Sequence, residues 1–287
     1  MMPKELGLIA IPVRDCHTTP CIHTKVLSRR IVLLQFDELI SIIQRLRDPQ
    51  DGCPWDIKQT RQSLVPNFIE ELYEVVEAIE DKDMDSLQEE LGDLMLHLVL
   101  QAQISQEEGL WGMEEVLKQI NAKLTRRHPH VFDTLQMEDA DAVKMNWERI
   151  KKREKKDRKS VLEGIPRALP ALIQAQRTQE KAASVGFDWP DIQPIMEKMD
   201  EEKEELINAL KTEDIDQITE ELGDMLFTIV NLARKLHIDA ESALRISTGK
   251  FTKRFNHIEE HYEKSGKDIN AASLTELDSI WNLAKEY

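Results

Sequence analysis

The sequence predicts an all-helical protein made of two tandem copies of one helical unit. Three observations predict it. Apolar residues recur at helical spacing between sharp breaks, Gly and Pro are few (10 and 11) and clustered, and an acidic pattern of the first half returns in the second. A length of 287 residues leaves room for two domains of about 100–150 residues each.

The segment 1–34 reads as separate from the rest of the chain, an N-terminal extension expected to be disordered. From Phe36 a helical pattern begins, with Leu39, Ile42, Ile43 and Leu46 on one face, and it stops at Asp48-Pro49-Gln50-Asp51-Gly52-Cys53-Pro54-Trp55. A second helix is expected from Ser63 to Ile79, and the turn Asp81-Lys82-Asp83 leads to a third from Leu87 to about Gln106. A fourth covers Met113 to Arg126 and ends before His128-Pro129; a charged helix is expected next, over about Ala140 to Asp157. Residues 35–160 thus form a first domain. The stretch 161–170, with Gly164, Pro166 and Pro170, reads as a linker, and 171–287 as a second domain. Helical patterns there run from Arg167 to Ser184, Ile192 to Leu210, Ile215 to Leu236, Ala240 to about Tyr262 and Leu274 to Lys285. The last opens with Ser273 and Glu276 at capping-box spacing. Nothing reads as a strand.

Charge narrows the function. A net charge of -16 repels phosphodiester backbones, which argues against a nucleic-acid polymer as partner but not against a phosphate-bearing small molecule met through a metal ion. No run approaches the ~20 apolar residues of a membrane span, and the N-terminal segment lacks the layout of a secretory signal, so a cytoplasmic protein is expected. Three cysteines, Cys16, Cys21 and Cys53, do not make a disulfide framework, and Cys16, His17, Cys21 and His23 fit no common zinc spacing. The basic run Glu148 to Lys159 holds eight Lys or Arg against three acids; a solvated helix face is the plain reading, a phosphate contact the other.

The repeat carries the chemistry. Glu70, Glu71, Glu74, Glu90 and Asp93 recur 131 positions later as Glu201, Glu202, Glu205, Glu221 and Asp224, together with the string Glu-Glu-Leu-Gly-Asp and the apolar run behind it. Glu71 and Glu74 lie about 60° apart on one helix face, as do Glu90 and Asp93 on the next. Two antiparallel helices joined by a short turn therefore aim four carboxylates at one point. Their repulsion would raise one another's pKa unless a divalent cation joins them. Oxygen-only ligands favour Mg²⁺, with Mn²⁺ as a substitute. A lone Glu-Glu-x-x-Glu usually decorates a solvated face; a duplicated constellation with matching second helices does not. Gly92 and Gly223, each inside a helix at a cost of about 1 kcal/mol, are expected to permit close approach of a helix or a ligand. Di-iron bundles use Glu-x-x-His, whereas both copies carry Glu-x-x-Asp, and neither His97 nor Thr228 restores that pattern.

Basic and aromatic residues recur too. Lys123 and Arg127 match Lys250 and Arg254, and Trp147 and Lys151 match Trp281 and Lys285. Cations beside a metal–carboxylate cluster suit a polyphosphate. The tryptophans are candidates either for core packing or for stacking on a base. Phe251 and Phe255 flank the second basic pair where the first half has Leu124 and His128, which favours the second half as the main site.

At these residues the sequence resembles the MazG family of nucleoside triphosphate pyrophosphohydrolases in its two-domain bacterial form, from about Phe36 to Tyr287. Its marks are Leu46-Arg47-Asp48-Pro49, Gly52-Cys53-Pro54-Trp55-Asp56 with Gln59-Thr60, both acid constellations, Arg126 to Phe132, and Gly186-Phe187-Asp188-Trp189. The resemblance implies a helical fold, usually a homodimer, that hydrolyses ribo- and deoxyribonucleoside triphosphates to monophosphate and pyrophosphate. It implies Mg²⁺ ligands at Glu71, Glu74, Glu90 and Asp93, and at Glu202, Glu205, Glu221 and Asp224. Glu70 and Glu201 are candidates to orient or deprotonate water. Lys250, Arg254, Trp281 and Lys285, with Lys123 and Arg127 in the first half, are the substrate-contact candidates. Two rival readings are a narrower dUTPase-like or damaged-nucleotide enzyme and a non-catalytic helical interaction module in a stress response.

Overall fold

The computed structural model describes residues 22–133, 160–285 and scattered positions between 135 and 154; side chains are described from Val32 onward. Among the described residues the secondary structure is helical throughout, with no strand. The chain divides into two compact units, the first ending at Arg153 and the second beginning at Glu154.

In the first unit the helices are α1 (Ile22–Leu46), α2 (Pro54–Lys58), α3 (Val65–Asp81), α4 (Met84–Glu107), α5 (Met113–Arg127) and α6 (Pro129–Phe132). α1 starts at Ile22, before the Phe36 at which the helical pattern is read to begin. With no Gly or Pro between Ile22 and Leu46, nothing in the chain interrupts the helix. Val32, Leu33 and Leu34 on this stretch are exposed. Cys16, His17 and Cys21, and the side chain of His23, lie outside the described residues, as do most positions of the charged helix expected over 140–157 and of the basic run 148–159. Ile43 is the buried anchor of α1, joined by Leu64, Val99, Leu100 and Ile104, with Leu39 and Ile40 packed against them. Ile42, expected on the same face, is instead 49% exposed.

The break after α1 is held by side chains rather than by an apolar core. Asp48 Oδ1 accepts from the backbone of Gln50 and Asp51. A Cβ on Gly52 would collide with the backbone of Leu46 and Asp48, so only glycine fits that turn. Arg47, buried, clamps the region. Its Nε and Nη2 donate to Glu107 at 2.9 and 2.6 Å, and its Nη1 donates to the Asp56 carbonyl at 2.5 Å.

The second unit contains α7 (Ala171–Ala183), α8 (Gln193–Thr212), α9 (Ile215–Lys235), α10 (Ala240–Ser265), a 3₁₀ turn (Ile269–Ala271) and α11 (Leu274–Leu283). The expected start at Arg167 moves to Ala171, because Pro170 takes the N-cap position with ψ 145°, outside the helical region. The capping box of α11 forms as expected: Ser273 N donates to Glu276 Oε2 at 2.9 Å and Glu276 N to Ser273 Oγ at 3.3 Å. Ile258, Tyr262 and Ile280 are buried together, with Leu277 and Trp281 against them.

What positions the acids is the hairpin that each unit repeats: α3–α4 and α8–α9. Each turn is the same device. Lys82 and Glu213 end the first helix in the left-handed region, at φ 59° and 58°. Asp83 then accepts from the backbone of Asp85 and Ser86, and Asp214 from that of Asp216 and Gln217, capping the second helix. Ala78 and Ala209, at equivalent places before the turn, are 5% and 6% exposed, small enough to let the paired helices close. A two-residue turn sets the register, so the carboxylates on facing helices meet at one level.

Candidate active site

In the first unit, carboxylate oxygens of Glu71, Glu90 and Asp93 lie within 4.8 Å of one another, and in the second those of Glu202, Glu205 and Glu221 do so. Each triplet joins both helices of its hairpin. The remaining members, Glu74 and Asp224, stand outside those triplets yet act on them electrostatically. Glu71 is raised above the ordinary carboxyl range, first by burial and then by Asp93, Glu74 and Glu90. Glu90 is raised by burial, then by Glu74, Glu89 and Asp93. Glu221 is raised by burial, then by Glu205, Glu202, Asp224 and Glu220. Converging acids whose charged forms are disfavoured are what a cation seat looks like before the cation is counted. Glu202 sharpens this, because it is 4% exposed and its Oε2 has no hydrogen-bond partner. An all-oxygen set of this kind fits a hard divalent cation.

Two residues at the clusters add to the set expected from sequence. Lys198 Nζ lies 2.8 Å from Glu202 Oε1 and 2.9 Å from Glu201 Oε1. Those two carboxylates, Glu202 foremost, hold its ammonium well above the ordinary lysine range. The signal for it in the sequence is its i,i+4 spacing to Glu202; the first half has Asn67 at the equivalent place. His97, four residues beyond Asp93, is 6% exposed and points Nε2 toward Glu71 Oε1 at 3.9 Å. Burial lowers its pKa, partly opposed by Asp93.

Glu70 and Glu201 sit beside the triplets on the exposed side of their helices. Gly92 and Gly223 have nothing within 4 Å of where a Cβ would stand. No helix of the described unit therefore approaches these glycines.

The basic and aromatic candidates gather on the closing helices. Arg254 stacks on Trp281 at 5.6 Å, and Phe251 meets the same ring at 5.0 Å and lies parallel to Phe255 at 6.1 Å. Trp281 also packs on the Ile258–Tyr262–Ile280 core, as the core-packing reading expects. Phe251 is 57% exposed, and Lys250 and Lys285 are exposed, Lys285 donating to Asn282 at 2.8 Å. The first unit keeps the plan but closes it. Arg127 stacks on Trp147 at 5.2 Å and is 8% exposed, while His128 meets the same ring edge-on at 4.8 Å. Lys123 is half-buried on the same helix, and Lys151 lies outside the described residues.

The Gly186-Phe187-Asp188-Trp189 segment anchors the entry to α8. Asp188 pairs with Arg234 and Lys235 at the end of α9, and Lys235 Nζ also donates to the Trp189 carbonyl.

Comparison with known proteins agrees with this duplicated geometry. The MazG nucleotide pyrophosphohydrolase domain matches twice, at residues 59–132 and 191–259, each match spanning one acid hairpin. The chain is 47% identical over 251 residues to a nucleoside triphosphate pyrophosphohydrolase/pyrophosphatase MazG of Thermotoga maritima, covering 87% of this chain and 95% of that one. It is 42% identical over 255 residues to the nucleoside triphosphate pyrophosphohydrolase of Escherichia coli, covering 88% and 97%. A Bacillus subtilis protein, YabN, is 43% identical over 259 residues, which are 90% of this chain and 53% of that longer one. With the domain found twice and such identity over nearly whole relatives, this chain belongs to the MazG nucleotide pyrophosphohydrolase family.

Proposed function

We propose that this chain hydrolyses nucleoside triphosphates, ribo- and deoxyribo-, to the monophosphate and pyrophosphate, with Mg²⁺ at the carboxylate clusters and Mn²⁺ as a substitute. The observation that carries it is the pair of hairpins, each bringing three carboxylates within 4.8 Å across two helices. The names of the relatives from Thermotoga maritima and Escherichia coli support the same reaction. Glu71, Glu74, Glu90 and Asp93 hold the cation in the first unit, and Glu202, Glu205, Glu221 and Asp224 in the second. A divalent cation bound there supplies charge neutralisation and Lewis-acid polarisation of phosphoryl oxygens. Glu70 and Glu201 orient the attacking water and take its proton. Water adds to the α-phosphorus and the bond to the bridging oxygen breaks, so pyrophosphate leaves with the electron pair. Lys250, Arg254 and Lys285 meet the charge that collects on the leaving group.

The second unit is the better base-binding half. Its aromatic surface, Phe251 and Phe255 beside Trp281, is open, whereas Arg127 in the first unit is nearly covered. The domain limits follow the repeat: 35–160, a linker at 161–170, and 171–287.

A homodimer is proposed from the outer face of the hairpins. Leu91, Met95 and Leu98 flank Gly92 on α4, and Leu222, Leu226 and Ile229 flank Gly223 on α9; all six are more than 40% exposed. A second chain over such a face would bury apolar area at about 25 cal/mol per Å² and give the glycines the close neighbour they lack within the unit. The described helices include none long and apolar enough to cross a membrane. A cytoplasmic role in keeping nucleotide pools, with no nucleic-acid polymer as partner, fits the net charge of -16.

The test is phosphorus NMR of products from each common triphosphate with Mg²⁺, on the unsubstituted chain and on Glu90→Gln and Glu221→Gln. Monophosphate plus pyrophosphate across many bases is expected, with the larger loss in Glu221→Gln. Turnover of one nucleotide alone would make it a narrow enzyme, and no turnover from a folded, Mg²⁺-binding chain would leave an interaction module.

A further inference from the structure

The two halves repeat a further pattern, away from the acids. Lys123, Arg127 and His130 recur 127 positions later as Lys250, Arg254 and His257. The residues between them do not: Leu124, His128 and Pro129 become Phe251, Phe255 and Asn256. We propose that His257 is a further substrate-binding residue of the second unit, donating a hydrogen bond to the pyrophosphate part of a nucleoside triphosphate. The inference rests on the reading of Lys250 and Arg254 as phosphate contacts.

Positions i, i+4 and i+7 fall within about 60° of one face of a helix. α10 runs unbroken from Ala240 to Ser265, so Lys250, Arg254 and His257 form one polar stripe along it. The neighbouring stripe, about 100° round the helix, is Phe251, Phe255, Ile258 and Tyr262. Its last two members are buried with Ile280, which fixes the rotation of the helix and sets the polar stripe beside the open aromatic face. His257 is half-buried there. Arg254 lies over the Trp281 ring at 5.6 Å, a stacking that occupies the face of a guanidinium and leaves its N–H edges for an anion. Glu260, one turn beyond His257, accepts from Lys264 at 2.9 Å, so its charge is already answered on the far side of the stripe. An imidazole N–H adds a directed donor to two cations, a combination that polyphosphate oxygens accept.

In the first unit the same three residues do not make a stripe. α5 ends at Arg127, Pro129 opens α6, and His130 lies beyond the break with its Nδ1 buried and unpartnered. Arg127 is 8% exposed. The repeat retains the histidine in both halves, and the second alone keeps it in line with the cations.

The test uses the full chain carrying Glu90→Gln, so that the second unit dominates, and follows ATP turnover with Mg²⁺. His257→Phe keeps a ring and removes both nitrogens; His257→Gln keeps an N–H donor. Inhibition by inorganic pyrophosphate is expected to weaken about tenfold in His257→Phe and to return in His257→Gln, while inhibition by AMP stays within about twofold. The KM for ATP should rise with the pyrophosphate inhibition constant, and kcat should change less. Unchanged pyrophosphate inhibition in an active His257→Phe chain overturns the inference. An equal loss for AMP overturns it too, since His257 would then serve the nucleoside side. A second measurement needs no substitution at His257: with histidine labelled by ¹⁵N, pyrophosphate and Mg²⁺ should shift a ring resonance, and no shift among the eight histidines overturns the inference even if His257→Phe fails to fold. No release of monophosphate and pyrophosphate by the unsubstituted chain overturns the hydrolysis reading beneath it, and the inference with that reading.

Discussion

Replacing Lys198 by Met removes an ammonium from the second cluster while keeping the length of its apolar stem. At the observed 2.8 Å to Glu202, two unit charges attract by about 6 kcal/mol at an effective dielectric of about 20, and by about 1.5 kcal/mol in bulk water. The lysine side chain keeps 35% of its exposure while that of Glu202 keeps 5%. Solvent screening on the lysine side and the desolvation already imposed on Glu202 bring the net effect to about 1–3 kcal/mol. Without a cation, the variant leaves Glu202 buried and uncompensated, with Oε2 already lacking a partner, so the second unit should unfold earlier. Linkage requires the reverse for the metal. An ammonium and a divalent ion compete for the same carboxylate, so removing the first should tighten Mg²⁺ binding about 5–150-fold. The assay is calorimetric titration of Mg²⁺ into nucleotide-free protein, in a Glu90→Gln background that weakens the first cluster. Unchanged or weaker Mg²⁺ binding would refute the competition and make Lys198 a group that orients Glu202 for the ion.

Glu71, Glu90 and Glu221 all titrate above their reference value of 4.5 in the folded chain. Their contribution to stability is therefore full below that reference value and is lost as pH rises through the elevated ones. Metal-free protein should accordingly lose stability from this source as pH climbs above the carboxyl range, and Mg²⁺ should remove the loss by binding the charged forms. Melting temperatures with and without Mg²⁺, compared with those of Glu71→Gln, isolate the effect; an identical slope in the variant counts against it. Glu107 and Asp188 run the other way, since Arg47 holds the first low, and the Arg234 and Lys235 hydrogen bonds outweigh burial at the second. Stability from both is present above their reference values and lost as pH falls through the depressed ones. Arg47→Met should destabilise the first unit by about 2–4 kcal/mol, because Glu107 and the Asp56 carbonyl lose their donor at a site where the arginine is 6% exposed. Urea unfolding monitored at the first unit checks it, and a loss below about 0.5 kcal/mol would mean that water replaces the clamp.

The parts of this molecule legible in the sequence are those written at short range. Helical periodicity, the capping box at Ser273 and the acid spacing each lie within a few residues, and the repeat carries them across both halves. The illegible parts depend on partners far along the chain. Arg47 meets Glu107 sixty residues away, and no periodicity announces that. His97 fails the Glu-x-x-His pattern of di-iron proteins, and its relation to the acids depends on Glu71 on the preceding helix. Gly92 and Gly223 suggest contact with a neighbouring helix, yet within each unit their sides are open, which only the three-dimensional surroundings reveal. The early start of α1 is hidden because the stretch before Phe36 shows no two-faced pattern, and Val32, Leu33 and Leu34 are in fact exposed.

Duplication fixes a scaffold, and substitutions at a few positions then decide what each copy does with it. The turns show how little the scaffold has moved: φ values of 59° and 58° at Lys82 and Glu213, each preceding an aspartate cap. Against that constancy the differences fall on the chemistry. Asn67 corresponds to Lys198, His97 to Thr228, and His128 to Phe255. Lys198 sets an ammonium against Glu201 and Glu202 in the second cluster. The first cluster has Asn67 in place of that lysine, together with a covered Arg127–Trp147 pair in place of an open aromatic face. A covered base platform is suited to holding structure; an open one is suited to turnover. On that division, Glu90→Gln should lower the unfolding temperature of metal-loaded protein more than it lowers turnover, and Glu221→Gln should do the opposite. Equal effects of the two substitutions on both readouts would mean that the copies still share one role.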